Sequence, residues 1–256
     1  MTMLRIAYAI KRAGWQALVK DGAERRVKKL LQQKDPAAVR LYSAHEAHQR
    51  AVEELLGAFD SLGATARRVG SKQGDLGADR FDLVVSLGGD GTLLRLSHRV
   101  VDAPILGINS DPNTSVGFFC GARSGEILES LERALDGRLS RRTLTRMRVT
   151  LSGEVVSNRV LNDALFCHQS PAATSRYLLE INGKSEDQKS SGFWIGPAAG
   201  STAAQRSAGG RVLPLESKNL QLVVREPYSP MGERYQLRKL FIAPDEELVV
   251  RSKMRK

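Results

Sequence analysis

The stretch FDLVVSLGGDGTLLRLS, Phe81 to Ser97, leaves little choice of fold. Leu83 to Leu87 is apolar except for Ser86 and shows no alternation. A strand of that kind is buried on both faces, which in practice means a parallel sheet with helices above and below it. Two glycines stop the run, and DGTLLRLSHRVV resumes at once with apolar residues at helical spacing. The neighbouring chain supplies the partners. Leu4–Ala9, ATARRV (Ala64–Val69) and APILGIN (Ala103–Asn109) read as further strands. AERRVKKLLQQ (Ala23–Gln33) and EAHQRAVEELLGAF (Glu46–Phe59) read as helices. Strand and helix therefore alternate over the first 120 residues or so, as in an α/β domain with a doubly wound parallel sheet.

The texture changes near Gly121. SGEILESLERALDG (Ser124–Gly137) reads as a connecting helix. After it MRVTLSG (Met147–Gly153), YLLEING (Tyr177–Gly183) and LQLVVRE (Leu220–Glu226) alternate like antiparallel strands. The expected division is an α/β domain over residues 1–121 and a β-rich domain over 122–256. The basic start, MTMLRIAYAIKRAGWQ, is compatible with a transit peptide, but MLRIAYAI reads better as the first strand.

The net charge of +11 suits either a solvated basic surface or a polyanionic ligand such as a nucleotide. No nucleic-acid-binding motif accompanies it, and no apolar run reaches membrane length, so neither nucleic acid nor membrane is an expected partner. Cys120 and Cys167 stand far apart, with no disulfide framework or metal spacing. That fits a reducing compartment, and the expected location is the cytoplasm. His45 and His48, three apart on a helix, are expected on its polar face rather than around a metal.

GGDGT sits where a buried strand hands over to a helix, the end of a parallel sheet at which open α/β folds bind ligands. Gly88, Gly89 and Gly91 let the backbone turn tightly and approach a ligand. The helix N-terminus suits a phosphate, and Thr92 adds a hydroxyl. The pattern is neither a P-loop nor a dinucleotide fingerprint, since a GxGxxG read from Gly89 meets Leu94 where its third glycine should be. A carboxylate beside a phosphate cradle is electrostatically costly unless it serves a purpose. Asp90 is suited to accept a proton from an attacking hydroxyl or to help hold Mg²⁺. The plain alternative is a helix cap, and the glycines around it favour the functional role. A second stretch, GPAAGSTAAQRSAGG (Gly196–Gly210), is almost entirely small residues and would let a flat ligand press on backbone. Ser201 or Thr202 is positioned to cap a short helix there and Gly209 to end it. In the third, LNDALF, Asn162 and Asp163 stand side by side, able to hydrogen-bond a ribose or an amide, or simply to make a turn.

GGDGTLL, LND and GSTAAQRSAGG, in this order and at these separations, resemble the NAD kinase family over most of the chain, from about Arg5 to about Tyr228. GGDGT alone is shared with diacylglycerol kinases, sphingosine kinases and phosphofructokinases. GST followed after four residues by SAGG makes the likeness specific. LGINSDP, SPAATSRYLLEING, KSSGFW, AAGSTAA and LVVREP resemble the branch holding the plant NADH kinase and the mitochondrial NAD kinase of animals.

The resemblance implies an enzyme with an active site between two domains. It would transfer the γ-phosphate of ATP, with Mg²⁺ or another divalent cation, to the adenosine ribose 2′-hydroxyl of NAD or NADH. Asp90 would be the general base, with Gly88, Gly89, Gly91 and Thr92 along the phosphates. Asn162, Asp163, Gly200, Ser201, Thr202 and Ala203 would bind the dinucleotide, with no metal held directly by the protein. A homodimer or higher homo-oligomer is expected. The family usually has Asn-Glu at Asn162-Asp163, Asp-Gly at Ser191-Gly192, Thr-Pro-Thr at Pro197–Ala199 and Tyr-Ser at Ala204-Gln205. The changes at Ser191, Ala199 and Ala204, with the loss of a carboxylate and of an aromatic ring, lead us to expect NADH to be accepted at least as readily as by a mainstream member of the family. The family's last strands are expected to run past the closing RSKMRK, so this is either a minimal version or one lacking them. Two rival readings share GGDGT: a lipid or small-polyol kinase, and a dinucleotide sensor without turnover.

Overall fold

The computed structural model describes residues 3–20, 24–70, 74–170, 172–228 and 235–254. Ala23 of the first expected helix, Pro171 of the SPAATSRYLLEING segment and the last two residues of RSKMRK lie outside them. The chain forms two compact units, Met1–Ser140 and Arg141–Lys256.

The first unit is a five-stranded parallel sheet. Its strands are β1 (Arg5–Ile10), β2 (Thr65–Arg68), β3 (Leu83–Gly88), β4 (Ile105–Asn109) and β5 (Ala122–Arg123), in the order β2-β1-β3-β4-β5. The helices are α1 (Gly14–Lys20), α2 (Glu24–Gln32), α3 (Pro36–Ser61), α4 (Asp90–Ser97) and α5 (Ile127–Leu135). Every residue of β3 is buried because its alternate side chains enter different cores. Leu83, Val85 and Leu87 pack with Ile6, Leu55, Phe59, Ile108 and Leu131. Val84 packs on the other face with Ala7, Leu96 and Val100. This is the double cover that the apolar run predicts.

Three elements differ from the sequence reading. The long helix α3 starts ten residues before Glu46, because Asp35 accepts the N–H groups of Ala37 and Ala38 at 3.0 Å and Pro36 opens the first turn. On its inner face His48 is 3% exposed, not on a polar surface. The division between units falls after Ser140 rather than at 121/122. Ala122 pairs with Ile108 on the sheet, and Ile127 and Leu131 of α5 are fully buried in the first unit's core. Glu54 of α3 caps α5 from across the core, its two carboxylate oxygens accepting the N–H of Gly125 and of Ile127 at 2.8 Å each.

The second unit is β-rich, with three antiparallel sheets. One is the hairpin β6 (Met147–Leu151) with β7 (Glu154–Val160). The others use β8 (Ala164–Phe166), β9 (Ser175–Ile181), β10 (Lys184–Ser190), β11 (Phe193–Gly196), β12 (Leu220–Val224), β13 (Lys239–Ile242) and β14 (Leu248–Ser252), ordered β10-β9-β14 and β13-β12-β11-β8. The turn from β9 to β10 is Asn182-Gly183, both at positive φ (51° and 73°), the geometry that suits a two-residue hairpin. Tyr177, Phe193 and Leu222 centre the core, with the Phe166 and Phe193 rings stacked 5.1 Å apart. A 3-10 turn (Ala198–Thr202) and the short helix α6 (Ala204–Ser207) carry the small-residue loop.

Candidate active site

The strand order reverses direction at β1, since β2 lies on one side of it and β3 on the other. Open α/β sheets bind ligands beyond the carboxyl ends of their strands at such a switch point. A cavity of about 450 Å³ lies there, lined by the exit of β1 (Ala9–Arg12), the exit of β2 (Arg68–Gly70), the face of α4 bearing Thr92, Arg95 and Leu96, and Arg99 in the turn just after α4. A second recess of about 250 Å³ shares Lys11, Arg12 and Arg68 and adds Gln16, His48 and Gln49. Five basic side chains thus surround the larger cavity. Lys11, Arg12, Arg68 and Arg95 have no carboxylate partner among the described residues. Arg99 is committed to the carbonyls of Gly70 and Gly74. Clustered cations repel one another, so such a cavity is complementary to a polyanion. No sequence motif marks these residues. The available signal was the net charge together with the basic pairs Lys11-Arg12 and Arg67-Arg68 at two strand exits.

Gly88, Gly89, Asp90, Gly91 and Thr92 come together beside this cavity, but the three glycines are small for different reasons. A side chain on Gly88 would meet Thr92 Oγ1 at 2.6 Å and Lys11 Cβ at 2.8 Å, and one on Gly89 would meet Ser115 Oγ at 2.8 Å. At Gly91, by contrast, nothing lies within 4 Å, and no positive φ demands glycine there. A glycine in a first helical turn costs about 0.5–1 kcal/mol relative to alanine. No protein contact accounts for it, and its bare surface lies open to a ligand.

Asp90 does not cap its helix. Gly89 is the N-cap, with no side-chain hydrogen bond. The two carboxylate oxygens of Asp90 instead accept backbone N–H groups from the loop after β4, Phe118 at 2.9 Å and Phe119 at 2.8 Å. Each oxygen keeps lone-pair capacity for one more donor. The carboxylate also acts on its surroundings. Burial first, and the Asp90 charge second, push the Cys120 thiol up to about 11.

Below the cavity His48 ties two strand exits together. Its Nε2 contacts the Lys11 carbonyl at 2.9 Å and therefore carries the proton, leaving Nδ1 to accept the Ser110 hydroxyl at 2.9 Å. Burial holds its pKa below the usual histidine value, the Lys11 carbonyl contact opposing this in part.

The other predicted residues meet in the second unit. A side chain on Gly200 would lie 1.8 Å from the Asn162 carbonyl oxygen, and one on Gly196 2.2 Å from the same atom. The Asn162-Asp163 turn is therefore pressed against the small-residue loop, which explains both glycines sterically. Burial raises the Asp163 pKa. Asn162 Oδ1, Asp163 Oδ2 and Gln205 Nε2 are buried without a hydrogen-bond partner, a combination that calls for explanation in a native site. Gln205, unforeseen from sequence, is fully buried. Gln221 accepts the Arg211 N–H and donates to Gln205 Oε1 at 2.9 Å, which turns the Gln205 amide nitrogen toward Gly196 and Gly200. Ser201 does not cap a helix. Its hydroxyl donates to the Ala198 carbonyl at 2.6 Å and accepts the Leu213 N–H at 2.9 Å, so it braces the loop from within. Thr202 and Ala203 are half-buried, Ala203 precedes α6 with no side-chain cap, and Gly209 ends it at φ 88°. Among the described residues no group of three or more His, Cys, Asp or Glu side chains is placed to hold a metal ion.

The family model for the ATP-NAD kinase N-terminal domain matches residues 20–139. The probable NADH kinase of Oryza sativa subsp. japonica is 39% identical over 171 residues, 58% of this chain and 53% of that one. The NADH kinase of Arabidopsis thaliana is 38% identical over 188 residues, 64% and 59% of the two chains. The chain thus spans between half and three fifths of the length of these plant relatives. The NAD kinase of Xylella fastidiosa is 32% identical over 200 residues, 76% of this chain and 69% of that one. The fold is shared with an NAD kinase from Archaeoglobus fulgidus solved in complex with ATP, at a TM-score of 0.65 and 21% identity over 97% of this chain and 81% of that one. It is shared also with yeast NADH kinase complexed with NADH, at a TM-score of 0.64 and 16% identity over 100% and 70% of the two chains. With the Xylella relative matched over more than two thirds of its length and the glycine-bounded Asp90 in the same fold, this chain belongs to the NAD kinase family.

Proposed function

We propose that the protein is an NAD(H) kinase, transferring the γ-phosphate of ATP to the 2′-hydroxyl of the adenosine ribose of NAD or NADH. The observation that carries this reading is the cationic cavity beside the GGDGT turn. Four cations without carboxylate partners suit the phosphates of the donor, and Gly91 and the opening of α4 leave room for them to approach backbone. The names of the plant relatives, and the ATP and NADH bound in the two solved structures, support the same assignment.

In this mechanism an Asp90 oxygen accepts the proton of the ribose 2′-hydroxyl as the 2′-oxygen forms its bond to the γ-phosphorus. The bond from the γ-phosphorus to the β–γ bridging oxygen breaks, and ADP leaves with that electron pair. Two fixed backbone N–H groups hold the carboxylate still, so little reorganisation is needed at the moment of transfer. A divalent cation, carried on the donor's own phosphate oxygens rather than by direct protein ligation, would neutralise charge on the transferring group. Asn162 and Asp163 are assigned to the dinucleotide on the strength of their unpartnered buried atoms, and the Gly200–Ala203 loop by family likeness and its packing against them.

The reduced cofactor is expected to be accepted at least as readily as by a mainstream member of the family. Ser191 brings no negative charge to favour a cationic nicotinamide, and Arg225 stands against it, its Nη1 donating to the Ser191 carbonyl at 3.4 Å. By family likeness the working form is a homodimer or higher homo-oligomer, and free Cys120 and Cys167 suit the cytoplasm. The test is transfer of labelled γ-phosphate from ATP to NAD, NADH and diacylglycerol in parallel. Labelled NADP or NADPH supports the reading. Label in diacylglycerol, or dinucleotide binding without transfer, would replace it with one of the two rivals.

A further inference from the structure

Asp90 is held by a loop, and the loop is held by one side chain. Asn109, the last residue of β4, is 5% exposed. Its Nδ2 donates to the Ser115 carbonyl at 2.8 Å, and its Oδ1 accepts the Asp111 N–H at 3.1 Å, so both ends of the amide are used on the segment that follows. Gly117 closes on it from above. That residue has φ 61°, and a side chain there would meet Asn109 Nδ2 at 2.6 Å. The next two residues, Phe118 and Phe119, present their N–H groups to the Asp90 carboxylate. Apolar packing contributes less at the tip of this loop, where Val116 is 91% and Phe118 50% exposed. Its shape therefore rests on polar contacts, and Asn109 supplies two of them.

We propose that Asn109 is a positioning residue for phosphoryl transfer: through Ser115 and Gly117 it sets the two amides that orient the Asp90 carboxylate. This rests on Asp90 being the base, as proposed above. The physical basis is that a reacting group misplaced by about 1 Å can cost on the order of 10²-fold in rate even when substrates still bind. Truncating Asn109 leaves the charge, the cationic cavity and the Gly91 surface unchanged. It should act on turnover rather than on donor affinity.

The experiment compares native protein, Asn109→Ala, Gly117→Ala, Asp90→Asn and the two doubles with Asp90→Asn, measuring kcat and KM for ATP and for NADH. Gly117→Ala perturbs the same linkage from the exposed side and covers the case in which Asn109→Ala fails to fold. We expect each of the two loop variants to lower kcat by roughly 10- to 100-fold, with KM for ATP changed less than about threefold. In the Asp90→Asn background neither should have more than about a twofold further effect, because groups acting as one unit are strongly non-additive. A merely structural defect would instead lower kcat by the same factor in both backgrounds, and that result overturns the inference. Native kcat in a folded Asn109→Ala or Gly117→Ala, with Asp90→Asn inactive, also overturns it while leaving the base assignment intact. Near-native turnover in Asp90→Asn alone overturns the base assignment itself.

Discussion

Replacing Asp90 with asparagine separates two jobs that the carboxylate combines. The side chain keeps its shape, but only one of its two terminal atoms still accepts a hydrogen bond. The amide should turn its oxygen to Phe119, whose N–H is the less exposed of the two, and present its NH₂ group to the Phe118 N–H. One bond to a charged acceptor is then lost and the other becomes neutral. Hydrogen bonds to charged groups contribute about 1.5–3 kcal/mol and neutral ones about 1 kcal/mol. Water can reach the Phe118 N–H, so the net cost should be about 1–2 kcal/mol. For a chain of this size that corresponds to a fall in Tm of about 2–8 °C. The protein stays folded at 25 °C, since a native domain has about 5–15 kcal/mol in hand. Turnover, in contrast, should fall on the order of 10²–10⁴-fold, the usual contribution of a general base. Differential scanning fluorimetry and initial rates of NADPH formation read the two effects on one sample. Turnover within about threefold of native would refute the base assignment, and an unchanged Tm would refute the clasp on Phe118 and Phe119.

Three further outcomes are expected. Because burial depresses the His48 pKa below its unfolded value, protonation favours the unfolded chain. The stability contributed by His48 is therefore present above pH 6.5 and lost as the pH falls through the lower folded value. Native protein should lose more Tm than His48→Gln between pH 7.5 and 5.5, and equal losses would contradict this. The Cys120 thiol, pushed up to about 11, should resist iodoacetamide at pH 8 while exposed Cys167 reacts, and Asp90→Asn should speed labelling of Cys120. Peptide mass spectrometry of the alkylated protein checks both. Gly200→Ala forces its new methyl into the Asn162 carbonyl, and a lost Tm of several degrees or a weakened dinucleotide affinity by calorimetry is expected; a variant native in both would contradict the packing of the two motifs.

The fold was legible where burial imposes a period. β3, β4 and β12 are sequence runs that only a buried strand explains, and the alternation of strands and helices before Gly121 fixes the parallel sheet. The first turns of α3 were missed because ten residues before Glu46 mix charge and small residues, so the start is carried by the Asp35-Pro36 cap rather than by periodicity. The division near Gly121 was read from a change of texture. Texture does not reveal that α5 buries Ile127 and Leu131 in the core behind it. Within the site, the glycine-bounded Asp90 stood out because no local rule requires it. Its engagement with Phe118 and Phe119 was invisible, since the partners are backbone groups 28 and 29 residues away and any residue type supplies an N–H. His48 shows the same limit from the other side. A histidine among polar neighbours looks solvated until the Ser110 hydroxyl and the Lys11 carbonyl, brought by distant strands, close around it.

The long helix α3 also has a consequence for synthesis on the ribosome. Its inner face carries Leu55 and Phe59, and Glu54 beside them waits for an N–H at Ile127, 73 residues further along the chain. At about 5–20 residues per second, Glu54 leaves the tunnel roughly 4–15 s before the Ile127 N–H that it accepts. Over that interval Leu55 and Phe59 can pack on β1 and then β3, but the carboxylate stays without its partners from the start of α5, and slow translation between Ser61 and Ile127 lengthens the wait.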